Sequence, residues 1–204
     1  MINTQDRSGY IGASDTKYVV GNWETKTFTK WWMQKIGIDN THIKTKQTEA
    51  GNNYEAKIID VLNIPNIERD KQIIKGRIRV NLDANTFDTN HEIKTYQYEK
   101  GFDINKHKDY IQQTQVQMYI SGLHKTILHA YGLIEKEYDN YLSEIDLNRL
   151  SHIEIPYDEE WIMNEYVDKA NYLSYCIING KYPIKEDFDK WLKEDKYDIR
   201  NDIY

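Results

Sequence analysis

Cysteine, proline and long apolar stretches are scarce in this chain of 204 residues. Its single cysteine, Cys176, excludes an internal disulfide framework, a Cys-based zinc site and a Cys-ligated iron–sulfur cluster. With three prolines and no stretch rich in Pro, Gly or Ser, the sequence contains no recognisable linker. Apolar runs fall short of the ~18 residues of a membrane-spanning helix, and the first ten residues lack a signal-peptide core. We therefore expect one soluble domain, residues 1–204, in a reducing, cytoplasmic compartment.

The excess negative charge lies in the last quarter of the sequence. The chain carries 27 Lys and Arg against 33 Asp and Glu, a net charge of −6. Residues 154–204 contain 13 acidic and seven basic side chains, which accounts for all of this excess. We interpret residues 157–204 as an acidic helical segment with a solvated face, and shielding of the body from non-specific nucleic-acid contact is the alternative. The electrically balanced remainder can bind a polyanion through local Lys and Arg clusters.

Hydrophobic periodicity and turn residues predict helices that flank a run of strands. Apolar residues at helical spacing predict helices over residues 25–36, 48–62, 106–122 and 157–178, the third with Gly122 as its C-cap. Extended patterns predict strands over residues 72–82, 91–98, 125–134 and 150–157. This order indicates an α/β protein with a small mixed central β-sheet flanked by helices.

Two acids and a lysine in the central strands form the main candidate for chemistry. Asp83 follows one predicted strand, and Glu92, Ile93 and Lys94 lie in the next. Because side chains alternate along a strand, Glu92 and Lys94 point the same way, about 7 Å apart, and Ile93 points into the core. A hairpin over residues 84–90 brings Asp83 beside Glu92. Such a site suits Mg²⁺ or Mn²⁺, which would polarise a phosphoryl oxygen while Lys94 stabilises developing charge.

Taken alone, this fragment is more typical of a surface Glu–Lys pair beside a turn, but further polar residues favour a site. Glu55 lies beside the apolar stripe of the 48–62 helix, and Gln115 and Gln117 lie where a solvated face more often carries Lys or Glu. Each has an ordinary interpretation too, Glu55 as an N-terminal helix charge and the glutamines as a solvated face. Five basic residues just before the site would face a phosphate backbone or solvent: Arg69, Lys71, Lys75, Arg77 and Arg79.

Four blocks of the sequence, in order, resemble the lambda-exonuclease-like YqaJ viral recombinases of the PD-(D/E)xK nuclease superfamily. They are residues 7–15 (RSGYIGASD), 51–55 (GNNYE), 83–94 and 115–122, within a matched span of about 7–135. The resemblance implies a restriction-endonuclease-like core. Two positions depart from the family pattern, since Leu82 stands where the motif has Pro and Ala84 where Gly often follows the Asp.

The resemblance assigns the metal site to four residues. Asp83, Glu92 and the backbone carbonyl of Ile93 would bind Mg²⁺, with Mn²⁺ as a substitute, and Glu55 would reach the metal directly or through water. Lys94 would then be the catalytic lysine.

It also implies an active-site wall and a phosphate pocket. Gln115 resembles the family glutamine that completes the wall. Arg7 and Ser14 resemble the pocket for a 5′-terminal phosphate, because a guanidinium forms charge-assisted bonds and Ser14 would open a helix whose N-terminus favours anions. A surface Arg and an N-cap Ser are the alternative.

The implied activity is a Mg²⁺-dependent 5′→3′ exonuclease that digests one strand of duplex DNA from its ends and leaves 3′ single-stranded tails for recombination. The resemblance further implies a homotrimeric ring, a single-strand annealing partner, and a phage or prophage gene expressed in the cytoplasm of a bacterial host. Two alternatives stay open: a structure- or sequence-specific endonuclease with the same metal site, and a catalytically silent DNA-binding or inhibitory module.

Overall fold

The computed structural model describes residues 8–39, 41 and 45–194. In these ranges one mixed six-stranded sheet carries helices on both faces, which confirms the predicted α/β architecture. The strands are β1 Ile11–Gly12, β2 Glu68–Lys75, β3 Ile78–Asn85, β4 Asn90–Gln97, β5 Lys125–Leu133 and β6 Leu150–Pro156. The helices are α1 Thr16–Val19, α2 Lys26–Lys35, α3 Lys46–Leu62, α4 Lys108–Ser121, α5 Glu159–Trp161, α6 Asp168–Ile178 and α7 Lys185–Glu194.

Strand β3 lies at the centre of the sheet and shares one of its edges between two partners. β2 pairs antiparallel with β3 through seven of its eight residues. The other edge pairs with β1 at Ile78 and Arg79, and with β4 only at Ala84 and Asn85. β4 then runs parallel to β5, and β6 pairs antiparallel with β5. The middle of β3 is therefore separated from β4 by a gap in the backbone ladder.

One predicted strand is in fact a hairpin. The pattern over residues 72–82 predicted a single strand, but the chain turns at Gly76, which has a φ of +56°. β2 ends at Lys75, and β3 begins at Ile78 opposite it. A glycine adopts this left-handed conformation at little cost, so the turn falls where alternation alone gave no break.

Two hydrophobic layers hold the sheet. On one side, Tyr54 and Ile58 of α3 pack with Ile93 of β4. On the other, Val116 and Ile120 of α4 pack with β3, α2 and α6. The predicted limits of α2, α3 and α4 agree with the structure to within two residues, and Gly122 caps α4 with a φ of +75°, as predicted.

The long C-terminal helix differs from the prediction in its interior. The pattern predicted one helix over residues 157–178, but the helical stretch begins at Glu159 and contains a π-helical segment, Ile162–Val167, between α5 and α6. Hydrophobic spacing does not distinguish one wider turn from α-helix, since both bury the same face. The acidic segment continues through α7, and its last ten residues lie outside the described ranges.

Candidate active site

The gap between β3 and β4 is bridged by side chains instead of backbone pairs. The Asp83 carboxylate accepts a hydrogen bond from the Ile93 amide, with 2.8 Å between Oδ2 and N. Nearby, the Gln117 amide of α4 donates to the carbonyl oxygen of Asn81 over 3.1 Å. The sheet therefore opens beside Asp83, and polar groups occupy the opening.

Glu92 is the most enclosed acid of the site, with 1% of its surface exposed. Its Oε1 lies 2.7 Å from Lys94 Nζ and 2.5 Å from Gln113 Nε2. Its Oε2 accepts a hydrogen bond from Gln117 Nε2 over 2.7 Å. Lys94 also donates to Gln113 Oε1 over 3.2 Å. Glu92 and Lys94 thus share one face of β4, and Ile93 is buried on the other.

Burial and neighbouring charge perturb two carboxylates of the site, those of Asp83 and Glu55. Burial raises the pKa of Asp83 well above its ordinary value, and the nearby charges of Glu92 and Glu55 raise it further. Burial likewise raises the pKa of Glu55, with added repulsion from Glu92 and Asp70. Since proximity of like charges disfavours ionisation, these shifts place the acids in one electrostatic cluster.

Lys94 is the cation that partly compensates this cluster. Burial alone would lower the pKa of Lys94, but the carboxylates of Glu92 and Asp83 outweigh that effect and raise it above the ordinary value. The lysine is therefore charged throughout the neutral and mildly alkaline range.

The donor chemistry of the site fits a hard divalent cation. Carboxylates of Asp83, Glu92 and Glu55, with the Ile93 carbonyl, are the oxygen ligands that Mg²⁺ prefers, and a cation would relieve the repulsion among the acids. In the arrangement seen here, no three His, Cys, Asp or Glu side chains of the described ranges are placed to hold a metal ion together. Both oxygens of Glu92 already have donors, so a cation at Glu92 would compete with the Lys94 ammonium.

Gln115 lies away from this cluster. Its amide donates to the Pro156 carbonyl over 2.9 Å, and its carbonyl accepts from the Asp158 amide over 2.7 Å. The α4 glutamines that contact Glu92 in the structure are Gln113 and Gln117. These two are four residues apart and so share one face of α4, whereas a residue midway between them points elsewhere.

Two other residues were missed by the sequence analysis. Gln113 lies four residues before Gln117 on the predicted helix and therefore on the same helix face, and this spacing could have identified it. Asp70 lies on β2 between Arg69 and Lys71, which pair with Ala84 and Leu82 on either side of Asp83. It is within electrostatic reach of Glu55 and has a φ of +56°, which is unusual for a non-glycine residue. No local pattern marks Asp70, because its position depends on the unpredicted turn at Gly76.

The expected phosphate pocket is described only in part. Arg7 lies outside the described residues. Ser14 is exposed within a 3₁₀ turn, Ala13–Asp15, and the turn is capped by the Asp15 carboxylate, which accepts from the Gly12 amide over 2.7 Å. The alternative interpretation of Ser14 as an N-cap is wrong, because Ser14 lies inside the turn and the N-caps here are Gly12 and Asp15. The assignment of Ser14 to a phosphate pocket stays a prediction.

The basic residues before the site do not form one row. Arg69 pairs with Asp60, and Lys71 pairs with Glu68. Arg77 and Arg79 instead lie over the Tyr10 ring, with guanidinium carbons 5.9 and 5.6 Å from its centre. The hairpin leaves Arg69 and Lys71 on β2, Arg77 in the turn and Arg79 on β3, so the sequence cluster does not become a single charged stripe.

The fold defines a class of structure, that of phage-related and alkaline exonucleases. The chain is similar to the alkaline exonuclease LHK-Exo from Laribacter hongkongensis, with a TM-score of 0.60 and 14% identity over 92% of this chain and 94% of that one. For LHK-Exo in complex with dAMP the TM-score is 0.61 at 15% identity and the same coverage. A phage related exonuclease from Haemophilus somnus 129PT gives 0.56 at 16% identity, over 92% of this chain and 96% of that one.

These similarities support the sequence resemblance at the level of the fold. Neither the protein-family models nor the curated proteins include a match to this sequence. Within the described ranges, the helices are too short or too polar to cross a membrane.

Proposed function

We propose that this protein is a Mg²⁺-dependent exonuclease that digests one strand of duplex DNA in the 5′→3′ direction and leaves 3′ single-stranded tails. The observation that carries the proposal is the convergence of Asp83, Glu92 and Lys94 beside the opening between β3 and β4, on a fold shared with solved exonucleases. A binding module has no need of two mutually repelling acids gathered beside one opening, where Lys94 compensates their charge only in part.

The residues would divide the work by their chemistry. Asp83, Glu92, the Ile93 carbonyl and Glu55 would hold the Mg²⁺ ion, for which Mn²⁺ would substitute. When bound, the ion supplies Lewis-acid polarisation of the phosphodiester. Lys94 would stabilise negative charge that develops on the phosphate during hydrolysis.

Gln113 and Gln117 would keep the Glu92 carboxylate in place through their amide donors. This constraint matters because Glu92 would have to release the Lys94 ammonium when it binds the metal ion. A carboxylate that is already held in one orientation loses little conformational entropy in that exchange.

The wider proposals follow the family resemblance. Arg7 and Ser14 would bind the 5′-terminal phosphate of the DNA end. The protein would act as a homotrimer with a single-strand annealing partner, in the cytoplasm of a bacterium that carries the phage or prophage gene.

Digestion of linear and circular duplex DNA tests the activity. With Mg²⁺ we expect the wild-type protein to release nucleotides from linear duplex and to leave closed circular duplex intact, and EDTA should stop the reaction. Asp83→Ala and Lys94→Ala should each abolish release. Asp83→Ala should leave the melting curve nearly unchanged, whereas Lys94→Ala should lower the melting temperature because the buried Glu92 loses its 2.7 Å partner. Near-normal rates in either variant would show that the site is misplaced.

An exposed acid–lysine pair outside the proposed site, Lys46 and Asp139, provides the matched control. Asp139→Ala and Lys46→Ala remove a solvent-exposed ion pair of 2.8 Å and should leave digestion unchanged. Cleavage of the circle would establish the endonuclease alternative, and intact linear DNA with either Mg²⁺ or Mn²⁺ would establish the silent module.

A further inference from the structure

A column of aromatic rings leads to the ammonium of Lys94. The Tyr96 and Phe102 rings have centres 5.2 Å apart. Phe102 stacks on His107 at 5.2 Å with an angle of 10°, and His107 stacks on Tyr110 at 4.7 Å with an angle of 5°. Lys94 Nζ lies over the Tyr110 ring, 5.1 Å from its centre. The column therefore ends at the proposed catalytic lysine.

Local structure places these rings in register. Residues 98–107 contain two 3₁₀ turns, Tyr98–Lys100 and Ile104–Lys106, separated by Gly101 with a φ of +66°. His107 is the N-cap of α4, so Tyr110 lies one turn further along the same helix. Helix geometry thus sets the His107–Tyr110 stack, and the folded loop brings Phe102 against it.

The Tyr110 ring contacts the lysine ammonium in addition to its two polar partners. Glu92 and Gln113 contact Nζ through oxygen atoms at 2.7 and 3.2 Å. Tyr110 and Gln113 are three residues apart on α4, so both approach Lys94 from that helix. A lysine side chain has four rotatable carbon–carbon bonds, and contacts on more than one side are needed to hold its ammonium in one position. An aromatic face attracts an ammonium without withdrawing its protons from other acceptors.

We propose that Tyr110 is a positioning residue for Lys94. His107 stacks on Tyr110 and Phe102 stacks on His107, and these contacts hold the Tyr110 ring in place. The proposal rests on the proposed nuclease function for its catalytic consequence, but the positioning itself does not depend on cleavage. Tyr110 does not contact the phosphodiester in this role, and its ring alone, without the hydroxyl, is sufficient.

Kinetics of three variants test the catalytic consequence. Tyr110→Leu should lower kcat about 10-fold with KM for linear duplex nearly unchanged, and Tyr110→Phe should stay within about twofold of wild type because the ring is retained. The matched control is Tyr175→Leu, which removes another lysine-over-tyrosine contact, that of Lys181 at 5.2 Å, and should not change kcat.

A second measurement reads the position of the ammonium directly. In ¹⁵N-lysine-labelled protein, relaxation of the Lys94 ammonium, assigned with Lys94→Arg, should show an ordered group in the wild type and in Tyr110→Phe. In Tyr110→Leu it should become more mobile than in the wild type, although Glu92 and Gln113 still contact it, and should shift toward the mobility of the exposed Lys100. His107→Leu should loosen it to a smaller extent, and this variant serves if Tyr110→Leu does not fold.

The two measurements separate the failures. If wild-type protein does not digest DNA but Lys94 loses order in Tyr110→Leu, the proposed function is wrong and the positioning stands. Unchanged order of Lys94 in Tyr110→Leu, or in His107→Leu when the first variant is unfolded, overturns the positioning. Equal loss of kcat in the Phe and Leu variants would also overturn it, since the ring would then not be the active group.

Discussion

Replacing His129 by glutamine should make the stability of the protein less dependent on pH in the acid range. His129 of β5 is 3% exposed and lies between two other imidazoles. Its Nε2 is 3.0 Å from His91 Nδ1, and its Nδ1 is 2.7 Å from His152 Nδ1. Burial lowers the pKa of His129 to about 3, and the neighbouring His152 and His91 contribute to the same direction.

The direction and size of the effect follow from this pKa. In the unfolded chain a histidine has a pKa of about 6.5, so between about pH 6.5 and 3 the unfolded state binds the proton and the folded state does not. The stability that depends on a neutral His129 is fully present above pH 6.5 and is lost as the pH falls toward 3. The difference between the two pKa values corresponds to at most ~4–5 kcal/mol, a large share of the ~5–15 kcal/mol of a typical domain.

Urea unfolding at pH 4, 5, 6 and 7 measures this loss. At pH 7, His129→Gln should be less stable than wild type by about 1–2 kcal/mol, because the buried His91 and the exposed His152 each lose an imidazole partner. Below pH 6.5 the difference in unfolding free energy between wild type and His129→Gln should narrow by up to ~1.4 kcal/mol per pH unit. The reason is that glutamine does not gain a proton on unfolding. The acids with raised pKa values, Asp83 and Glu55, act in the opposite direction, but they are common to both proteins and cancel in the difference.

The exposed His124, whose ring lies edge-on to Tyr157 at 5.1 Å, provides the control. The unfolding free energy of His124→Gln should follow that of the wild type at a constant offset across the four pH values. If that of His129→Gln also keeps a constant offset, the buried imidazole is not the group that is protonated on unfolding, and the reasoning fails.

Three further expectations concern the site and its support. Gln113→Ala should slow DNA digestion at least 10-fold, whereas Gln115→Ala should retain near-normal kcat; the reverse order in a nucleotide-release assay would restore the sequence-based assignment. Arg149→Leu should cost about 3–5 kcal/mol in urea unfolding, because it leaves the buried Glu137 without its 2.7 Å partner, and a loss below 1 kcal/mol would contradict this. Arg7→Ala should slow digestion of 5′-phosphorylated ends more than of 5′-hydroxyl ends, and equal slowing would remove Arg7 from the pocket.

Local sequence patterns determined most of the elements. Thr25 begins α2 as an N-cap whose hydroxyl accepts from the Phe28 amide, and Gly122 ends α4. Such signals act within one or two turns of chain, so they are readable without the rest of the molecule. Alternation along one strand was equally sufficient to place Glu92 and Lys94 on the same face and Ile93 in the core.

Features that depend on two distant segments were decided by tertiary structure. Gln115 and Gln117 are indistinguishable by composition, but only the orientation of α4 over the sheet turns Gln113 and Gln117 toward Glu92 and Gln115 toward Pro156. Helix geometry fixes the angle between side chains, but the packing of the helix against the sheet determines which side chains contact other elements.

The acid cluster shows the same division. Sequence alone supplied two carboxylates and a lysine within twelve positions. The gap between β3 and β4, the turn at Gly76 and the approach of α3 then decided that Glu55 and Asp70 would join them. Charges interact through space, so their pKa values depend on distances that no stretch of sequence contains, while the alternation and capping that built each element depend only on neighbouring bonds.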